Sequence, residues 1–318
     1  MRNYAIKRLL LLIPTIILFT ITMFLALQLM PGDYVDTLVM AIRQQDPGAD
    51  IDREALEEEF GLDRPLITQY LDWLGGVFRG ELGVSMLTGK SATAEMIKRI
   101  PVTVELNLLS FIITWIIALP IGIYSALFQD TKLDYLGRGF TVVGMAMPDY
   151  WVATMVIVFG VIWLGWVPDV VYIPFTQDPL GNLRQFIIPA LIMSLPAGGL
   201  VRMLRTLTLE VIRQDYVRTA WAKGLKERAI IFRHALRNAM IPLNSMLIPV
   251  FLGMLGGSVI MENVFALPGM GRYLLSALTM RDWPIVLGTN LFFTVLGLVT
   301  IVIVDLSYAW ADPRIRYD

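Results

Sequence analysis

The chain is written in apolar blocks long enough to cross a lipid bilayer, and this blocking limits what it can become. The first block is Leu9–Leu29. At about 1.5 Å per helical residue, a run of this length reaches roughly 30 Å, the thickness of the hydrocarbon core. Backbone groups inside lipid find no water to bond, so such runs are read as helices rather than open strands. Five more follow: Pro101–Phe128, Gly139–Trp166 with Pro148-Asp149 inside it, Gln185–Leu204, Ile241–Met261 and Val286–Tyr308. Composition agrees, with 56% hydrophobic and only 17% charged residues among 318. The expected fold is an all-α integral membrane protein with six transmembrane helices.

Arg2, Lys7 and Arg8 precede the first block, so a signal peptide is its rival reading. The block exceeds a typical signal core, and the following Gln28–Asp33 (QLMPGD) offers no small-x-small cleavage site, so a retained span is expected. Three regions result: residues 1–30, the N-terminus and first span; 31–100, an external loop subdomain; and 101–318, a five-helix core. The second region is acidic around Glu54–Glu59 and predicts an amphipathic helix from Asp52 to Phe60. Trp163, Trp166 and Tyr172 flank a later external loop as an interfacial aromatic belt.

The strongly basic run is Arg202–Pro242. Its nine bases are Arg202, Arg205, Arg213, Arg218, Lys223, Lys226, Arg228, Arg233 and Arg237, against Glu210, Asp215 and Glu227. Bases close to spans collect on the cytoplasmic side. With both termini also inside, the short outer loops carry only Arg184, Arg272 and Arg281. Within the run, two short helices are expected about a glycine. Asp215 caps the first, Val217, Ala220 and Trp221 share a face, Gly224 ends it, and the next begins near Leu225. Such a hairpin offers a knob to another protein.

Several chemistries are excluded or weak. The chain has no cysteine, so disulfides and thiol chemistry are absent, and its single histidine, His234, rules out a His-rich metal site. A net charge of −1 gives no reason to expect nucleic acid. Gly83–Ser91 (GVSMLTGKS) imitates a phosphate-binding loop, but five residues separate its glycines instead of four and no apolar strand precedes it. Asp149, Asp305 and Glu105 are the acids within or near the spans, and Glu105 pairs with the polar Asn107. Intramembrane acids suggest function by default. Glu105, Asn107 and Asp149 are therefore candidate translocation-path residues, with a structural role open for each. Asp305 lies near an inner end, where Arg314 and Arg316 offer partners. Asn263–Arg272 (NVFALPGMGR) reads as an external turn.

Four stretches taken in order carry a family resemblance: Gly80–Leu106, Gln214–Pro242, Gly256–Arg272 and Asp305–Tyr317. The chain resembles the permease subunits of ATP-binding-cassette importers, in the branch handling dipeptides, oligopeptides and sometimes nickel or oligosaccharides. Of the branch's two paired permeases, it is similar to the one with the long first periplasmic loop. The resemblance implies type I importer architecture, with a cytoplasmic coupling helix between spans 4 and 5 inside the loop 205–240. That helix is Tyr216, Val217, Arg218, Ala220, Trp221, Ala222, Lys223, Gly224 and Leu225 with the intervening Thr219, docking on an ATPase. The wider class has E-A-A-x-x-x-G-x₉-I-x-L-P; here Arg218, Thr219, Ala220 and Gly224 are followed by His234, Leu236 and Arg237, a departure that looks like the peptide branch.

The implied partners are a second homologous permease, two ATPase subunits that use ATP and Mg, an extracytoplasmic substrate-binding protein and membrane lipid. The chain itself would bind no cofactor or metal and carry no catalytic site. It would lie in the plasma (inner) membrane with both termini cytoplasmic. Import of nickel or oligosaccharides is the alternative on the same architecture; an ion-coupled secondary transporter is the alternative of another class.

Overall fold

A computed structural model describes residues 2–29, 34–46, 48, 51–226, 229–231 and 236–311. Among these, the helices in chain order are α1 (Arg2–Gln28), α2 (Tyr34–Gln45), α3 (Arg53–Glu59), α4 (Leu66–Arg79), α5 (Ala92–Leu127), α6 (Lys132–Ala146) and α7 (Asp149–Leu164). They continue with α8 (Pro179–Ser194), α9 (Gly198–Ile212), α10 (Asp215–Ala222), α11 (Arg237–Leu243), α12 (Leu247–Val264), α13 (Met270–Met280) and α14 (Trp283–Ala311). No strand occurs among the described residues, only an isolated antiparallel bridge between Val84 and Ser91.

Five helical stretches are long and apolar enough to cross a membrane: Ile6–Gln28, Ala92–Leu127, Pro179–Ile212, Asn244–Val264 and Trp283–Ser307. The pair α6 and α7 makes a sixth if counted as one span, but it bends by 96°. The third span, expected over Gly139–Trp166 with Pro148-Asp149 inside it, is thus broken at that proline into two helices. Pro148 lacks the N–H that a helix interior needs, and it drives Met147 out of helical geometry to φ −92°, ψ 126°. The fourth span also differs. It runs on through a 3₁₀ turn at Leu195–Ala197 into α9 and reaches Ile212, so Arg205, expected in the loop 205–240, belongs with Arg202 to the spanning stretch. The second span begins at Ala92, earlier than expected, supported by Glu95 pairing with Lys98 at 2.8 Å and Arg99 at 3.2 Å.

Two compact units result. One comprises Lys7–Thr103 with Pro268–Leu298. Its core joins Phe24 and Leu27 of α1 to Ala92, Ala277, Ile285 and Val286, with Tyr70 and Trp73 of α4 against them. Tyr70 shares a hydrogen bond with Thr20 at 3.0 Å and meets the Phe24 ring edge-on at 5.6 Å. The acidic helix α3 forms where the sequence signals it: the Asp52 carboxylate accepts from the Ala55 N–H at 3.2 Å, and Phe60 is the C-cap.

The other unit is built mainly from Val104–Leu267. Leu200, Leu204, Leu207 and Val211 of α9 form one wall of its core, against Ala118 and Ile123 of α5 and Ala239 and Leu243 of α11. Near the α6–α9 crossing the backbones nearly touch. A Cβ added at Gly198 would lie 2.6 Å from the Thr141 carbonyl oxygen, and one at Gly144 would lie 2.8 Å from that of Leu195. Small residues permit such approaches where lipid supplies no hydrophobic drive between helices.

Candidate functional site

Helix α10 is a short amphipathic rod set on the α9 core. Val217 is fully buried and Ala220 nearly so, both packed among Leu204, Leu207 and Val211. Burying the Val217 side chain is worth about 1.5–3 kcal/mol. Trp221 does not share their environment: it is 48% exposed, as are Tyr216 and Leu225 to lesser extents. Arg218, Ala222, Lys223 and Gly224 are exposed too.

The ends of α10 explain its length. Gln214 is the N-cap and makes no side-chain cap bond, so Asp215 as the capping residue is overturned. Asp215 is instead the first helical residue. There its carboxylate faces the positive end of the dipole and pairs weakly with Arg218 at 3.5 Å. At the other end Gly224 adopts φ +73°. The Gly224 N–H then reaches Trp221 O at 2.9 Å, and the Leu225 N–H reaches Ala220 O at 3.4 Å. This is a Schellman closure, which favours glycine because no Cβ opposes the left-handed turn. The Ala229 and Ile230 N–H groups bond to Lys226 O, beginning a new helical turn just beyond. Glu227, Arg228, Arg233 and His234 lie outside the described residues, as do Arg314 and Arg316.

A charged clamp the sequence reading passed over ties α6 to α9. Asp134 is fully buried and accepts from Arg138 Nη2 at 2.6 Å and Nε at 3.2 Å. Arg205 on α9 adds a two-pronged contact through Nε at 3.2 Å and Nη2 at 3.1 Å. The Asp130 N–H donates to the same carboxylate at 3.0 Å. Asp134 and Arg138 stand four apart, a helical pairing visible in the sequence once a helix is drawn there; the expected spans stopped at Phe128 and resumed at Gly139, which left both residues out.

The three path candidates do not converge. Glu105 accepts from the Tyr172 hydroxyl at 3.5 Å, and Asn107 is buried one half-turn further along α5. Burial, then the neighbouring Glu105 carboxylate, push the Tyr172 phenol above its usual range. Asp149 stands apart from both. It lines a cavity of about 310 Å³ with Thr114 of α5, Met193 of α8, Gly199 and Leu200 of α9, and Val250, Gly253, Met254 and Gly257 of α12. Glu262, fully buried in α12, escaped the sequence reading because the fifth span was ended at Met261.

The phosphate-loop imitation has another occupation. The Ser85 N–H bonds to Lys90 O at 2.9 Å, Thr88 N–H to Ser85 Oγ at 3.1 Å, and Gly89 N–H to Ser85 O at 2.9 Å. Asp282 accepts from the Ser85 hydroxyl and from the Met86 N–H at 3.2 Å. The amides that would cradle a phosphate are thus already bonded, and a carboxylate sits where the anion would. Burial raises the Asp282 carboxyl above its ordinary range, partly offset by the Ser85 hydroxyl and nearby backbone amides. Asn263–Arg272 is only partly a turn, because α13 begins at Met270, whose N–H donates to Thr103 Oγ1 at 2.8 Å.

Fold and site together define a class: a multi-pass helical membrane protein with a bent span, a largely apolar cavity holding one carboxylate, and a short amphipathic helix on the following link. Residues 118–317 match the family described as binding-protein-dependent transport system inner membrane component, and the chain belongs to it. It is 38% identical to a putative peptide transport system permease protein of Brucella abortus, over 100% of both chains. It is 36% identical to the oligopeptide transport system permease protein AppB of Bacillus subtilis, again over 100% of both. The dipeptide transport system permease protein DppB of Escherichia coli is 34% identical over 100% of this chain and 99% of its own. Among solved structures, an inward-facing MetNI methionine ABC transporter matches at TM-score 0.53 and 14% identity. It covers 68% of this chain and 96% of that one, and shows a shared fold.

Proposed function

We propose that this chain is one of two paired permease subunits of an ATP-driven importer carrying short peptides inward by alternating access. The full-length likeness to permeases named for peptide, oligopeptide and dipeptide transport supports the substrate class. The observation that carries the mechanism is α10. Its Val217–Ala220 side is sunk into the α9 core while Trp221 stands out from it, so force applied at the exposed side reaches a spanning helix. In this reading Tyr216–Leu225 is a helix-in-groove contact for a partner ATPase. ATP and Mg are bound and used there, and closure of the two ATPases draws the spans between inward- and outward-facing states. An extracytoplasmic protein delivers the substrate, residues 31–100 lie outside, and both termini and the 205–240 loop lie in the cytoplasm.

Vesicles reconstituted with this chain, its paired permease, the ATPases and the binding protein are expected to accumulate a labelled dipeptide only with ATP at the ATPase side. The chain alone under a proton or sodium gradient is expected to carry none. Gradient-driven uptake by the isolated chain would establish a secondary carrier instead.

A further inference from the structure

The Asp149 cavity holds a fully buried hydroxyl with no hydrogen-bond partner and a half-buried carboxylate with no ion pair among the described residues. We propose that this cavity binds the α-ammonium group of a short peptide, with Asp149 as counter-charge and the Thr114 hydroxyl as a second acceptor. The proposal rests on the peptide-importer reading and names the end of the substrate that one part of the path holds.

Thr114 is fully buried, and its Oγ1 has no hydrogen-bond partner among the described residues. Several helical threonines elsewhere turn their hydroxyls back onto the preceding turn (Thr206 to Arg202 O, Thr219 to Asp215 O, Thr289 to Ile285 O), although buried Thr208 of α9, like Thr114, does not. The Thr114 hydroxyl forgoes that bond and lines the cavity. Asp149, the first residue of α7, makes no ion pair among the described residues, and its Oδ2 points toward Gly257, where an added Cβ would sit 3.8 Å away. The helix dipole favours an acid at that position, but it accounts for neither the cavity nor the idle hydroxyl. A carboxylate at membrane depth calls for a cation.

The remaining lining narrows which cation. Among the described residues Asp149 is its only ionisable side chain, so the site answers a single positive charge. A primary ammonium has three donors and no acceptor, matching a carboxylate and a hydroxyl. Met193, Met246 and Met254 supply soft apolar walls that adapt to different side chains. Gly253 leaves open space beside them. A volume of about 310 Å³ falls at the small end of ligand sites, which run from about 300 to 1,000 Å³. No base lines the cavity among the described residues, so these residues offer the peptide's carboxylate no counter-charge.

The test uses the complex of this chain, its paired permease and the ATPases, without the binding protein, and measures peptide binding by equilibrium dialysis. Dialanine is expected to bind at least tenfold more tightly than N-acetyl-dialanine. Asp149→Asn should abolish that preference, Asp149→Glu should retain it, and Thr114→Val, close in shape, should weaken dialanine several-fold. Equal binding of the two peptides, no binding of either, or a preference that survives both Asp149→Asn and Thr114→Val overturns the proposal. Cadaverine competing as well as dialanine would also overturn it, because the site would then read any organic amine. ATP-driven dipeptide uptake by the same complex, reconstituted into vesicles together with the binding protein, separates the two levels. Uptake without amine discrimination sinks this inference alone, whereas no uptake sinks the importer reading.

Discussion

Gly224 shows how one backbone angle and one open space make different demands on a residue. At φ +73° any L side chain is strained, by about 1–2 kcal/mol for most types and less for asparagine. An added Cβ would meet nothing within 4 Å, so bulk there projects outward rather than into the fold. Gly224→Asn is expected to keep most dipeptide uptake, whereas Gly224→Trp, inserted into membranes at normal levels, should lose it by blocking ATPase docking. Normal transport by Gly224→Trp would remove the coupling assignment. Asp282 makes a pH-dependent demand. Its folded carboxyl titrates above the unfolded one, so its contribution to stability is full below the unfolded value and is lost as pH rises through the folded one. Asp282→Asn, which keeps an acceptor for Met86, should flatten that acid-side dependence. Asp282→Ala should cost about 1–3 kcal/mol by leaving buried donors unmet. Limited proteolysis of the Gly83–Ser91 loop across pH reads both.

Helices here are joined by charge as well as by packing. Asp134, Arg138 and Arg205 link α6 to α9, and α9 leads through Arg213 and Gln214 into α10. In the proposed coupling role, movement of α10 would reach the bent pair α6–α7 through this clamp. Removing the acid strips two guanidinium groups of their shared acceptor, but Arg138 at 39% and Arg205 at 18% exposure keep some contact with solvent, so the cost is that of a lost charged hydrogen-bond partner, about 1–3 kcal/mol. Asp134→Ala is expected to destabilise the protein by that order. Asp134→Asn, nearly the same shape, should assemble yet deliver severalfold less peptide per ATP hydrolysed. Unchanged coupling in the Asn variant would make the clamp purely structural. The same region marks what was legible in advance. Proline in the third span was evident, but the 96° bend at Met147-Pro148 depends on how α6 and α7 pack against α8, α9 and α12.

At the scale of the whole molecule, topology is the property that lipid enforces most directly. The chain contains no cysteine, so a single introduced one reports its side of the membrane without background. Lys223→Cys and Lys90→Cys both replace exposed residues. In the chain expressed without its ATPases, an impermeant maleimide should label Lys223→Cys only from the cytoplasmic side and Lys90→Cys only from the opposite side. Labelling of both from one side would break the proposed orientation. Many residues on α1, α6 and α7 are exposed and apolar, including Leu18 at 66% and Ile162 at 67%, as expected for surfaces that face lipid or another subunit.

The sequence by itself determined the number and rough extent of the spans, because exclusion of water acts on each apolar block locally and leaves the helix as its way to satisfy the backbone. It also determined the start of α3 and the stop of α10, where Asp52 and Gly224 act on their own turns. Only the tertiary structure decided that Asp134 meets Arg205, that Asp282 closes over Ser85, and that Asp149 and Thr114 line one cavity. Those pairings join residues far apart in the chain. Their energies come from burial and from partners brought into reach by packing, quantities that no local run of residues contains.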